Sequence, residues 1–374
     1  MSVVTLGSSK LKVSKIILGC ALYGSPDWLS RVQNEEESIK QIKAAYDAGI
    51  NTFDMSNVYS NEQSEVVLGK AIKQETLPRD GIVVMTKVFH PVSRNMDERI
   101  DGKATEYADT HRYANQYSLT REHIFDSIKK SLERLQLDYI DVLHCQEYDT
   151  NTPTHETVRA FVKAKQTSMT ADLTCPPGTS TSLSFDHSLV TSSHMKALHD
   201  AVQAGWVRYV GMSNCRAWQF HVMQNHAIVN HLTPFISMQN DYNLLYREDE
   251  NEMLPTLKYL DVPFIPLTSL VHGAMTMPLD QQLALPSDNM FPGGRKEWHN
   301  TIITRVEEIA LQKNVTMTQV AIAWSWGREC VRALVINAST TGQLLDAIRG
   351  VDVLLTPVEI QYLEEPYIPQ KLRH

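Results

Sequence analysis

Short apolar runs alternate with amphipathic segments along most of the chain. Each run ends in a polar or small residue, and apolar positions at three- and four-residue spacing follow it. This rhythm favours parallel strands that are joined by helices through right-handed crossovers. The predicted strands are Lys15–Cys20, Asn51–Asp54, Ile82–Lys87, Tyr139–Gln146, Val207–Ser213, Phe235–Gln239, Pro263–Thr268 and Ala333–Ile336.

The helical spacing of apolar residues predicts the connecting elements. Thr120 is a candidate N-cap of one helix, and Gly49 and Gly205 are candidate stops of two others. A small hairpin is expected from Val3–Leu6 and Leu11–Val13. The predicted helices are Glu35–Ala48, a helix that starts at Glu62, Arg121–Leu135, Met195–Ala204, Trp218–Asn230, Glu248–Leu260, Ile302–Asn314, Thr318–Trp326 and Gly342–Arg349.

Repeated strand–helix units of this kind predict a closed (β/α)8 TIM barrel, an α/β fold. Such barrels take ~250 residues and can exceed about 400 with insertions. The chain has 374 residues, and no linker indicates a second domain. An open doubly wound sheet is the rival fold, but no Gly-x-Gly-x-x-Gly motif follows any predicted strand. We therefore predict a single domain over residues 1–374, with the hairpin in front of the barrel.

Two long segments interrupt the rhythm, Phe89–Gln116 and Val158–His194. Val158–His194 is rich in Ser, Thr and Pro and has no sustained period. Loops of this length inside compact domains are usually functional or disordered. The composition favours a disordered insertion within the barrel; a functional lid and a translated intron remain alternatives.

Composition and charge restrict the classes of partner. The formal net charge of −8 disfavours nucleic acid and anionic membrane surfaces. The N-terminus has no signal-peptide core, and no uncharged apolar run approaches the ~18 residues of a membrane helix. An odd, scattered set of cysteines predicts reduced thiols in the cytoplasm, with no disulfide framework and no metal site. These cysteines are Cys20, Cys145, Cys175, Cys215 and Cys330.

Chemistry-bearing residues stand at the ends of two predicted neighbouring strands. Asp54 ends one strand, Tyr59 lies on the loop that leads to the next helix, and Lys87 ends the following strand. The carboxyl ends of barrel strands meet at the face where barrel active sites form. A carboxylate, a phenol and an amine placed there could form a proton-transfer site, although each residue alone is more often a cap or a surface group.

The words around these residues resemble the aldo-keto reductase family, and the resemblance covers almost the whole chain. FDMSNVYSNEQSEVVLGKAI, followed by VVMTKV, carries the strongest match. Further matches are LDYIDVL, VRYVGMSN, FISMQN, LLYRE and LEEPYIP. The sequence is most similar to fungal aryl-alcohol dehydrogenase-like and versiconal hemiacetal acetate reductase-like members. The resemblance implies the same barrel fold.

The resemblance also implies roles for the site residues. Tyr59 would protonate the carbonyl oxygen, Lys87 would lower the pKa of the phenol, and Asp54 would orient Lys87. The fourth catalytic position, a histidine in relatives, is Gln146 here. A histidine occurs two residues earlier, at His144, where alternation along the strand puts it one layer deeper in the barrel. His144 is expected to be a buried, hydrogen-bonded core residue.

The implied cofactor is NADP(H). Ser213, Asn214 and Gln239 match residues that hold the nicotinamide carboxamide in the family. Leu267, followed by Thr268, stands where relatives have an aromatic residue that stacks on the nicotinamide. His272 stands where close relatives often have an arginine near the pyrophosphate. The segment 337–343 lacks the basic residues that commonly bind the 2′-phosphate. We therefore expect weak binding and a small preference for NADPH.

The leading functional hypothesis is an NADP-dependent oxidoreductase that reduces aldehydes and ketones, including aryl and secondary-metabolite carbonyls. Its partners would be small carbonyl or alcohol substrates. One alternative is a catalytically impaired, cofactor-binding or regulatory barrel, because Gln146 replaces the histidine. Another is a sugar-binding or scaffold barrel, for which Asp54, Tyr59 and Lys87 would be coincidental. The sequence leaves the substrate and the oligomeric state open.

Overall fold

The computed structural model describes residues 2–100, 107–108, 110–111, 113, 116–149, 187–283, 291 and 294–373. The chain opens with an antiparallel hairpin of β1, Val3–Thr5, and β2, Lys12–Ser14. The predicted hairpin is therefore confirmed.

Seven parallel strands form most of a barrel wall. They follow the spatial order β8-β7-β6-β5-β4-β3-β9. These strands are β3, Ile16–Gly19; β4, Thr52–Asp54; β5, Val83–Val88; β6, Ile140–Cys145; β7, Val207–Ser213; β8, Phe235–Gln239; and β9, Leu334–Ile336.

The segment 263–267 closes the ring between β8 and β9. Phe264 forms bridges to Met238 on one side and to Val331 on the other. Leu267 N donates to Asn240 O at 2.8 Å on the β8 side. The segment is a series of isolated bridges, whereas a full strand was predicted over Pro263–Thr268. Proline supplies no N–H to a ladder, and Pro263 and Pro266 interrupt this one. The predicted (β/α)8 barrel is confirmed.

Eleven helices over the described ranges pack around this wall. They are α1, Glu35–Asp47; α2, Gln63–Gln74; α3, Arg121–Leu135; α4, His187–Gln203; α5, Ala217–Val229; α6, Met253–Leu260; α7, Leu279–Leu283; α8, Glu297–Lys313; α9, Met317–Trp326; α10, Thr341–Arg349; and α11, Pro357–Glu364. Thr120 caps α3 as predicted, since its side chain accepts from His123 N. Glu248–Glu250, predicted as part of α6, forms a separate 3₁₀ turn.

The barrel interior is apolar at one end and polar at the other. The inward residues of β5 are Val83, Met85 and Lys87. Those along β6 and just after it are Val142, His144 and Gln146. Leu6, Leu11 and Val13 of the hairpin pack against the apolar inner residues and plug that end. Polar side chains can therefore converge only at the C-terminal mouth.

The helix α4 begins earlier than the sequence indicated. It starts at His187, whereas Met195 was predicted, and Thr191 and His194 are buried. The predicted disordered insertion over Val158–His194 is thus wrong for its last part. Residues 158–186 lie outside the described residues.

This boundary predicts different outcomes for two deletions. Joining Thr157 to Met195 removes the first turns of α4 with buried Thr191 and His194, whereas joining Thr157 to His187 keeps them. We expect the longer deletion to be less stable than the shorter by roughly 2 kcal/mol or more, because buried contacts are lost. Thermal unfolding of both variants tests this, and equal melting temperatures would contradict it.

Candidate active site at the C-terminal mouth of the barrel

A buried ion pair lies at the centre of the mouth. Lys87 Nζ is 2.5 Å from Asp54 Oδ2, and each side chain is only 2% exposed. The ammonium also donates to Met55 O at 2.9 Å. Gln239 Nε2 donates to the second carboxylate oxygen of Asp54 at 3.0 Å. Two of the residues predicted from the sequence, Asp54 and Lys87, are therefore in direct contact. Through Lys87 and Gln239, Asp54 links β4 to β5 and β8.

Tyr59 lies beside this ion pair. Lys87 Nζ is 5.4 Å from the centre of the phenol ring. Burial raises the pKa of Tyr59, and Asp54 raises it further, while the Lys87 charge opposes them. Burial lowers the pKa of Lys87, but the attraction of Asp54 and Tyr59 outweighs it, so that the pKa is raised overall.

These directions correct one expectation. From the sequence, Lys87 was expected to lower the pKa of the Tyr59 phenol. Lys87 does act in that direction, but loss of solvent around Tyr59 is the larger effect. The phenol therefore keeps its proton, and the ammonium its charge, across the neutral pH range.

The loop that carries Tyr59 is held in an unusual conformation. Ser60, Asn61 and Glu62 have φ values of 51°, 44° and 76°, in the left-handed region. A non-glycine residue pays roughly 1–2 kcal/mol for this conformation. Contacts from distant segments compensate: Ser25 N donates to Ser60 Oγ at 3.0 Å, and Arg134 pairs with Glu62 at 2.8 Å. The surrounding structure thus fixes the loop and the position of Tyr59.

Gln146 occupies the position at which a histidine was expected. It directly follows β6, and its backbone N donates to Val88 O at 3.0 Å. Ser56 Oγ donates to Gln146 Oε1 at 2.9 Å, and Asn214 Nδ2 donates to Gln146 O at 3.1 Å. With the oxygen engaged by Ser56, Nε2 is the remaining polar group of the amide and can only donate.

His144 is a core residue, as expected. It is 0% exposed, and its Nε2 lies 3.0 Å from Ser237 Oγ. Burial lowers its pKa well below the ordinary value, and the nearby Lys87 charge adds to this effect. A Cβ at Gly211 would lie 2.4 Å from the imidazole, so only glycine there leaves room for the ring. His144 is therefore a neutral imidazole, fixed one layer below Gln146.

A second group of polar residues lies on the β7 and β8 side of the mouth. Asn214 has a φ of 45°, and its backbone N donates to Gln239 O at 3.0 Å. Ser213 Oγ and Gln239 Oε1 are buried and have no hydrogen-bond partner within the described ranges. Buried polar atoms without partners commonly indicate a missing ligand or water. A hydroxyl and an amide oxygen could form hydrogen bonds with a carboxamide group.

The turn after segment 263–267 contains the remaining predicted cofactor residues. Thr268 Oγ1 donates to Asp241 Oδ1 at 2.9 Å. Leu267 packs against the inner apolar cluster and offers no aromatic face. His272 lines an open cleft beyond the mouth, and burial lowers its pKa. Of these three residues, Thr268 and His272 line the cleft, and Leu267 packs against the barrel interior.

Sequence reasoning missed several residues of this cleft. Asn243, His299 and Arg373 line it together with Thr268 and His272. They come from segments far apart in the chain and from no recognised motif. The sequence around a histidine in a helix or an arginine in a tail does not show that the two side chains line the same cleft.

The arrangement suits proton transfer to an oxygen. Over the described part of the chain, no group of His, Cys, Asp or Glu side chains could hold a metal ion. Burial raises the pKa of the Cys20 thiol close to Asp54, which makes it a poor nucleophile.

Among the described residues, no helix is long and apolar enough to cross a membrane.

Known proteins are similar to this chain over almost its whole length. The profile of the aldo/keto reductase family matches residues 15–368. Versiconal hemiacetal acetate reductase of Aspergillus parasiticus is 37% identical, over 100% of this chain and 98% of its own length. A Schizosaccharomyces pombe protein with a provisional aryl-alcohol dehydrogenase name is 36% identical, over 97% and 95%. Aldo-keto reductase AMT2 of Alternaria alternata is 36% identical, over 98% and 91%. The chain therefore belongs to the aldo-keto reductase family.

Proposed function

We propose that this protein is an NADP-dependent oxidoreductase that reduces aldehydes and ketones to alcohols, with Tyr59 as the general acid. Membership of the family already makes it an oxidoreductase that acts on small carbonyl or alcohol substrates with a nicotinamide cofactor. The observation that carries the finer proposal is the buried Asp54–Lys87 ion pair beside the Tyr59 ring. Burying two charges together costs desolvation free energy, so stability alone does not account for this pair.

The protein's own residues would manage the proton. A bound NADPH supplies the hydride that reduces the carbonyl carbon. Tyr59 donates its hydroxyl proton to the oxygen on which negative charge develops. Lys87 stabilises the phenolate that remains, because its ammonium lies next to the ring and stays charged. Asp54 holds Lys87 in place and balances its charge in the absence of solvent.

The unpartnered polar atoms of the mouth support a nicotinamide ligand. Ser213 Oγ and Gln239 Oε1 would bind the carboxamide, with Asn214 beside them. Preference for NADP over NAD rests on the family resemblance alone, since 337–343 offers no basic residue. Leu267 would meet the ring by apolar contact only. Binding is therefore expected to be weaker than with an aromatic partner, by roughly 1 kcal/mol.

Gln146 favours an active enzyme over the impaired alternative. Its amide oxygen accepts from Ser56, which leaves Nε2 as a hydrogen-bond donor. A neutral donor of this kind can stabilise the developing oxyanion as an imidazole would. The aryl or secondary-metabolite nature of the substrate and a cytoplasmic location are part of the proposal.

Two measurements test the proposal. Oxidation of NADPH with a panel of aryl and aliphatic aldehydes should show turnover. Direct titration should show binding of NADPH and, more weakly, of NADH. Binding without turnover on any aldehyde or ketone would favour the impaired, regulatory barrel. Absence of binding to either dinucleotide would leave only a scaffold.

Changing Lys87 to methionine is expected to alter the pH dependence as well as the rate. Lys87 lowers the phenol pKa, so its removal should raise the pKa of Tyr59 further. The alkaline limb of the pH profile of kcat/KM, where Tyr59 loses its proton, should then move to higher pH. An unshifted alkaline limb would separate Lys87 from Tyr59. Lys70→Met, which removes a surface lysine paired with Glu35, is the matched control.

A further inference from the structure

The C-terminal tail after α11 is tied to the barrel rim. Tyr367 OH donates to Glu248 Oε1 at 2.6 Å and accepts from Arg247 N at 2.9 Å. Gln370 N donates to the same Glu248 oxygen at 2.6 Å. Lys296 Nζ donates to Gln370 Oε1 at 2.5 Å from the start of α8. The tail is therefore fixed along its length, with Glu248 as the shared anchor.

This anchoring delivers Arg373 to the cleft next to the mouth. Arg373 N donates to Tyr246 OH at 3.0 Å, and the guanidinium lies 4.2 Å from the Tyr246 ring centre. Arg373 Nη1 is 3.0 Å from Asp241 Oδ2, and the arginine side chain remains 43% exposed. An exposed pair of this kind is worth ~1 kcal/mol or less, so the guanidinium is readily shared with a second anion.

The opposite wall of the cleft presents further donors. Lys296 N donates to His299 Nδ1 at 3.1 Å, which fixes the tautomer with hydrogen on Nε2. Burial lowers the pKa of His299 to about 4, so the ring is neutral and Nε2 can donate. Phe291 stacks on His299 with ring centres 5.2 Å apart and holds its plane. Arg295 is close enough to His299 to influence its pKa.

The turn that forms the floor is strained. Thr268, Val271 and His272 have φ values of 56°, 49° and 50°. A β-branched residue such as Val271 seldom adopts this conformation, and such outliers concentrate at ligand-binding sites. Ser269 is 2% exposed, and its hydroxyl has no partner within the described ranges. Turns that combine right- and left-handed residues aim backbone N–H groups at anions.

We propose that the tail is a strap over the dinucleotide, in which Arg373 binds the diphosphate above the turn 268–273. The inference rests on the proposed function for the presence of a dinucleotide. Arg373 would supply a positive charge in the cleft that it lines with His272, which stands where close relatives often have an arginine near the pyrophosphate. Asp241 holds the guanidinium in place, and the phosphates share it. Because NADPH and NADH have the same diphosphate, Arg373 contributes equally to both.

The test compares Arg373→Ala with Lys371→Ala, which removes the same charge from an exposed residue of the same tail. Titration of the full-length protein with NADPH and with NADH gives the dissociation constants. A charge-assisted bidentate contact should be worth at least about tenfold. Arg373→Ala should therefore raise both constants about tenfold, with their ratio unchanged. Lys371→Ala should stay within about twofold of wild type.

A second variant distinguishes the strap from a general structural effect. Glu248→Gln weakens the anchor of the tail without touching the cleft, and it should raise the NADPH dissociation constant by a few-fold. Combined with Arg373→Ala, it should add nothing, since the strap then has no contact left to position. Additive effects, or equal losses in Lys371→Ala, would overturn the strap. Wild-type affinity in Arg373→Ala would also overturn it while leaving the proposed function intact. Absence of dinucleotide binding in wild type would overturn both.

Discussion

Replacing Tyr59 with phenylalanine is expected to reduce carbonyl turnover by a factor of roughly 10²–10⁴, the usual contribution of a general acid. The ring fills the same space in the loop fixed by Ser25 and Arg134, so the geometry of the mouth is retained. The change removes only the hydroxyl that carries the proton. The dissociation constant for NADPH should therefore remain within about twofold of wild type.

Tyr23→Phe is the matched control for this loss. Tyr23 is also buried, and its hydroxyl donates to Gln41 at 2.8 Å, close to Cys20 but outside the proposed proton path. The control removes one buried hydrogen bond, worth about 1 kcal/mol of stability, and should keep its turnover. If Tyr59→Phe retained more than about a tenth of wild-type turnover, Tyr59 would not be the acid.

Replacing Gln146 with alanine is expected to lower turnover by roughly 10²-fold or more, because a donor to the developing oxyanion is lost. The effect should appear mainly in kcat, since the charge develops only in the transition state. Gln146→His should give no gain beyond a few-fold, because Nε2 already donates. Steady-state kinetics of wild type and both variants on one aldehyde gives the comparison.

The opposite pattern would support the impaired alternative. A tenfold gain in Gln146→His, with little loss in Gln146→Ala, would mean that catalysis lacks an imidazole. His144→Phe is the control for the deeper layer. Inward residues two apart on a strand are about 6–7 Å from each other, too far for one side chain to serve both layers. His144→Phe should cost about 1 kcal/mol of stability through the lost Ser237 contact, with little change in kcat.

The repetition of strand–helix units predicted the barrel, and the family resemblance implied that Asp54 orients Lys87. On β5 the inward positions run from apolar to Lys87, and Asp54 ends the preceding strand, so topology alone brings them together. The pKa of Tyr59 could not be predicted in direction, because it depends on how completely the folded chain removes solvent. Family resemblance supplied Gln146 as the fourth position, but only the fold shows its oxygen engaged by Ser56.

Other features depend on contacts that no local pattern contains. The first turns of α4 have no clear apolar period, and the burial of Thr191 and His194 by distant segments stabilises them. Pro263 and Pro266 read as part of an apolar strand, although they break its ladder into bridges. Arg373 contacts Asp241 from 132 positions along the sequence, and only the folded position of the tail shows this contact.

The hairpin plug has a consequence for synthesis of the protein. Leu6 and Val13 belong to the same inner cluster as Val335, which follows them by most of the barrel sequence. The strand β3 likewise pairs with β9, where Ile17 lies opposite Val335. No fragment that ends before β9 can close the barrel, so the nascent chain must carry its apolar hairpin unburied until β9 has left the ribosome. Such high contact order slows folding and makes chaperone protection of the early segments valuable.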